Sequence, residues 1–88
     1  MKGIITVLGK DKVGIIAEVC TFLSARQVNI LDISQTIVQG YFSMLMIVDM
    51  PERTDFAQIA GELRALGAGL GLEIKLQRED IFESMHRI

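Results

Sequence analysis

The sequence predicts an α+β sandwich, a four-stranded antiparallel sheet with two helices on one face, in the order β-α-β-β-α-β. Three observations carry this prediction. Apolar spacing switches repeatedly between the period of a strand and that of a helix. Glycine, proline, asparagine or aspartate stands near most of the switches. The chain has 88 residues, half of them apolar and 23% charged, enough for one small domain with a thin core and too apolar for disorder.

The first strand is "KGIITVLG" (2–9), rich in β-branched residues, with Ile4 and Leu8 on one face and Ile5 and Val7 on the other. From Val13 the period becomes helical: Ile16, Val19, Cys20 and Leu23 form a stripe flanked by Ile15 and Phe22. "VNILDISQTIVQ" (28–39) returns to strand chemistry, with Leu31, Ile33 and Ile37 on one face and Val28 and Ile30 on the other, a pattern that suggests a bulge or twist near Leu31. Gln39-Gly40 makes a tight reversal into "YFSMLMIVDM" (41–50), where Phe42, Met44, Met46 and Val48 alternate with Leu45 and Ile47. Pro51 stops that strand. Thr54 or Asp55 caps a second helix with the stripe Phe56, Ile59, Leu63 and Leu66, which ends among the glycines between 67 and 71. "LEIKLQ" (72–77) alternates cleanly and supplies a last strand with one wet face.

Right-handed crossovers then give the strand order 4-1-3-2, the ferredoxin-like arrangement. Residues 1–79 form the domain. Residues 80–88 form a C-terminal amphipathic segment, with Ile81, Phe82, Met85 and Ile88 at helical spacing and too few turns to persist undocked. Strands one and three are apolar on both faces while the helices cover only one, so a second copy or the C-terminal segment is needed on the other.

Several functions are set aside by composition. A net charge of −2 with scattered basic residues argues against direct binding of nucleic acid. The single cysteine, Cys20, makes neither an internal disulfide nor a metal site alone, and it reads as a small core hydrophobe. No apolar run is long enough to span a membrane and no signal peptide is evident, so a cytoplasmic protein is expected. The one histidine, His86, lies in the tail, and no acid, base and nucleophile form a recognisable set; no catalytic residue, metal or cofactor is expected.

The stretch "GKDKVGII" (9–16) is the polar corner of an otherwise apolar chain. Asp11 caps the following helix or accepts from a ligand's ammonium group. Gly14 allows close packing, and the free N–H groups of the first helical turn, with Lys10 and Lys12 nearby, suit a carboxylate. Turn and ligand site are both open readings of this corner. Asn29 is likewise either a turn residue or a ligand contact.

"GKDKVGII" between strand and helix, "VNILDISQT" opening the second strand, and the element order together resemble an ACT domain, more narrowly the free-standing UPF0237 type, which is similar to the regulatory half of glycine-cleavage repressors. The resemblance covers essentially the whole chain. It implies a sensor that pairs through sheets or helices and binds amino acids at the interface. On this chain it implicates Asp11, Val13, Gly14 and Ile15 from the corner, with Asn29 and Ile30 from the second strand. The function expected is a regulatory module, a homodimer or larger homo-oligomer, that binds a small amino-acid-like ligand and signals to a protein partner. The alternative is a protein-interaction module without a small-molecule ligand, for which the methionine-rich third strand is suited.

Overall fold

A computed structural model describes residues 1–80. The expected C-terminal segment, including His86, lies outside the described residues apart from Asp80. The elements are β1 (Lys2–Lys10), α1 (Ile15–Ala25), β2 (Asn29–Val38), β3 (Tyr41–Asp49), α2 (Phe56–Leu70) and β4 (Leu72–Arg78). All strand pairs are antiparallel, in the order β2-β3-β1-β4, which is the predicted 4-1-3-2 read from the other edge.

One sheet face and both helices share a single core. In register, Val7 of β1 stands between Met44 of β3 and Ile74 of β4, and Ile5 stands between Met46 and Leu76. All six are buried, together with Ile15, Val19 and Leu23 of α1 and Ile59 and Leu63 of α2. The α1 stripe is rotated from the predicted one: Ile15, not Ile16, starts the buried row, and Ile16 is exposed. The helix begins at residue 15, two positions later than its apolar spacing suggests, because Gly14 still belongs to the turn.

Local chemistry sets the element ends. Asp55 is the α2 cap, its carboxylate accepting from the Gln58 N–H at 3.1 Å, and Gly71 closes the helix in the left-handed region at φ 72°. α1 ends in a Schellman pattern: Val28 N–H donates to Leu23 O and Gln27 N–H to Ser24 O, each at 3.0 Å, with Gln27 left-handed at φ 58°. Gln27 therefore holds the turn conformation considered for Asn29, which is already in β2. Gln39 and Gly40, at φ 52° and 79°, have the two positive angles of a hairpin turn whose twist matches that of the strands.

The bulge is real and falls at Leu31. Ile30 pairs with Val48 and Asp32 with Ile47, so Leu31 is the extra residue. It brings Ile33, Gln35 and Ile37 onto the helix side of the sheet with Ile30, which corrects the alternation that set Ile30 on the opposite face.

Arg26 ties the helices together. Its guanidinium donates to both Glu62 oxygens (3.1 and 3.3 Å) and to Phe22 O (3.1 Å), and it lies 3.6 Å over the Phe22 ring. The Met1 ammonium donates to Met50 O at 2.9 Å, Glu52 Oε1 at 3.0 Å and Asp49 Oδ1 at 3.2 Å.

Two predictions follow from this packing. A Cβ at Gly67 would stand 2.8 Å from Leu72 O and 2.8 Å from Ile74 Cγ1, whereas one at Gly69 would meet nothing within 4 Å. Gly67→Ala is expected to destabilise by about 1–3 kcal/mol, and Gly69→Ala to stabilise by up to about 1 kcal/mol. Urea unfolding of both variants checks the opposite signs. Hydrogen bonds to Glu52 first and Asp49 second raise the Met1 ammonium above its usual 8.0. Its contribution is therefore complete below pH 8.0 and is lost as pH rises through the higher folded value. The melting temperature should fall between about pH 7 and about pH 10 by more than it does in an N-acetylated chain.

Candidate functional site

The corner between β1 and α1 is held from two sides. Asp11 N–H donates to Gly40 O at 2.8 Å, which fastens the loop to the β2–β3 hairpin. Gly14, at φ 90°, is the N-cap residue and no side chain caps the helix. Asp11 is thus not the cap that its position suggests. Nor does Gly14 serve close packing, since a Cβ there would meet nothing within 4 Å; its role is the left-handed angle.

The first intrahelical bond runs from Glu18 N–H to Gly14 O at 2.9 Å, so the turn formed by Ile15, Ile16 and Ala17 carries backbone donors with no helical acceptor. This turn borders a cavity of about 470 Å³ closed by Asp11, Lys12 and Gly14 on the loop side and by Gln35, Ile37 and Phe42 on the sheet side. Phe42 is buried, pairs in register with Ile37, and forms the apolar floor. The site combines helix-terminal donors, an ammonium, a carboxylate and a neutral amide over an aromatic ring. Lys12 Nζ also lies near the end of α2, 3.6 Å from where a Cβ on Gly71 would stand. The arrangement can take a carboxylate at the helix terminus and an amine at Asp11, the two ends of a zwitterion.

Of the implicated residues, the structure brings Asp11, Gly14 and Ile15 together in this cavity. Val13 is fully exposed and lines no part of it. Asn29 and Ile30 lie at the other end of β2, in a second cavity of about 500 Å³ with Cys20, Ser24, Gln27 and Val28. The two cavities both lie between α1 and β2, one at each end of the strand. Gln35 escaped notice in the sequence, though it sits between Ile33 and Ile37 on an apolar strand face. An amide at such a position was the available signal.

β2 itself is the least covered element. Only Ile30 is half-buried; every other residue is exposed, including the apolar Leu31, Ile33, Ile37 and Val38. It is an edge strand of ten residues containing no proline, lysine or arginine. Its guards against pairing with another strand are the Leu31 bulge and the single charge of Asp32.

Among the described residues, no helix is long and apolar enough to cross a membrane, and no group of three or more His, Cys, Asp or Glu is placed to hold a metal ion.

A sheet of this order with both helices on one face is the ferredoxin-like architecture, and the comparisons with known proteins narrow it: the chain belongs to the ACT domain family, whose model matches residues 3–77. Within it the chain is similar over its length to UPF0237 proteins. One from Bifidobacterium longum is 58% identical over 88 residues, covering 99% of this chain and 98% of that one. A solved ACT domain protein from Streptococcus pneumoniae superposes with a TM-score of 0.85 at 44% identity, covering 94% of each chain. A formyltetrahydrofolate deformylase from Pseudomonas putida KT2440 shares the fold alone, with a TM-score of 0.79 at 16% identity over 88% of this chain and 28% of that one.

Replacing Gly14 tests the corner. Gly14→Ala forces a Cβ into the left-handed region with no contact to repay the strain, and about 1–2 kcal/mol of stability should be lost. Thermal unfolding of the variant measures this.

Proposed function

We propose that the protein is an ACT-type regulatory module that binds a small amino-acid-like ligand where two copies meet, and that passes its occupancy on to a protein partner. The observation that carries this reading is the uncapped start of α1 facing a cavity whose other wall is an exposed edge strand. One half of the ligand chemistry, Asp11 with the Ile15–Ala17 backbone, lies at the Ile37 end of β2; Asn29 lies at the opposite end.

An antiparallel β2 pair between two copies resolves that separation. With Ile33 on the two-fold axis and Leu31 as the extra residue of its bulge, Asp32 faces the partner's Ser34, Ile30 the partner's Gln35 and Asn29 the partner's Thr36. Each corner cavity is then completed by the start of the partner's β2, and two equivalent sites form. The exposed apolar residues of β2 are covered by the same step.

The exposed edge also favours a second reading, a module that receives a strand of another protein and needs no small molecule. Calorimetric titration of the full chain with each of the twenty amino acids separates the two. At least one should bind, with roughly tenfold loss in Asp11→Ala and in Gln35→Ala, the scale of one charge-assisted hydrogen bond. Ile33→Lys should yield a monomer by sedimentation and abolish binding. Silence from all twenty would leave the interaction module, and full binding by a monomeric Ile33→Lys would overturn the shared site.

A further inference from the structure

Two apolar side chains that the core does not use line the corner cavity from opposite walls. Ile16, on the helix wall, is 37% exposed, because the left-handed Gly14 postpones α1 and gives the buried row to Ile15. Ile37, on the strand wall, is 54% exposed, and the Leu31 bulge is what brings it to the helix side of the sheet. Phe42, its register partner, is buried between them and the core. A single exposed isoleucine needs no explanation. Two of them flanking one cavity over a buried ring form an apolar cleft with nothing in it from the described residues.

Charge is distributed differently. Among the described residues the charged groups lining this cavity are Asp11 and Lys12, both in the β1–α1 loop, and the strand wall adds only the neutral amide of Gln35. Lys12 Nζ lies by the end of α2, 3.6 Å from where a Cβ on Gly71 would stand, and the helix dipole there favours a cation. The groups suited to the two ends of a zwitterion, the first-turn donors of α1 and the Asp11 carboxylate, are thus on helix and loop. A charged side chain placed between Ile16 and Ile37 would lose water without gaining a counter-ion. An apolar one would cover both isoleucines at once.

We infer, on the reading of this corner as an amino-acid site, that the ligand carries an apolar side chain of valine size or larger, which lies between Ile16 and Ile37 over Phe42. Asp11 and the start of α1 hold any amino acid by its common end, and the two isoleucines choose among them.

Calorimetric titration of the full chain with leucine, alanine, glutamate and lysine tests this. Leucine should bind about tenfold tighter than alanine, the effect of burying its additional carbons over about half their surface. Glutamate and lysine should bind no tighter than alanine. In Ile16→Ala and in Ile37→Ala the leucine-to-alanine ratio should fall to about threefold or less, as the cleft loses one wall. The ratio within one variant cancels any change in folding or in the pairing of β2, which would weaken both ligands alike. A ratio near one in the unaltered chain, a ratio unchanged in both variants, or a preference for glutamate or lysine overturns the apolar cleft and leaves the amino-acid site standing. Silence from all twenty amino acids removes the site and its selectivity together.

Discussion

The second strand is held almost entirely by its backbone. Every other strand sends side chains into the buried core, but from β2 only Ile30 reaches its rim. β2 is kept in place by its ladder to β3, where each hydrogen bond contributes on the order of 1 kcal/mol net. α1 buries Ile15, Val19 and Leu23 in the core, and a cavity opens between it and β2 at each end of the strand. The same arrangement that leaves β2 bare makes it one wall of the cavity at the α1 terminus, beside Phe42 of β3 and the Asp11–Gly14 loop.

The core and its order were legible because they obey simple periods. Ile5 with Val7, Met44 with Met46, and Ile74 with Leu76 alternate as half-buried strands must, and turn residues mark their limits. Failures cluster where one residue breaks the count. Leu31, as a bulge, reverses the face of everything after it, so Gln35 was not seen to share the α1 side of the sheet. Gly14 takes a left-handed angle and postpones the helix, which moves the buried stripe from Ile16 to Ile15 and leaves Asp11 too far back to cap. The separation of Asn29 from Asp11 was invisible for a different reason: strand length sets it, and residue type does not.

If a ligand completes its contacts only when two copies pair, binding and association are linked. The ligand strengthens the pair by the same factor by which pairing strengthens the ligand's hold. A cavity shared in this way senses concentration through assembly, without any large movement within one chain. Neither half need be tight alone. The corner offers helix-terminal donors, a carboxylate and the Gln35 amide, and the apolar edge contributes burial that does not depend on the ligand.

The bond between Asp11 N–H and Gly40 O gives this linkage a path inside the chain. Gly40 belongs to the hairpin turn that ends β2, so the β1–α1 loop and the far end of β2 are fastened at one point, 2.8 Å across. A guest that draws the corner toward the helix terminus draws on the end of β2 as well, and a neighbour that fixes β2 fixes the corner. The opposite sheet face is reached by none of these contacts. Changes of exposure there need not move the corner or the β2 edge.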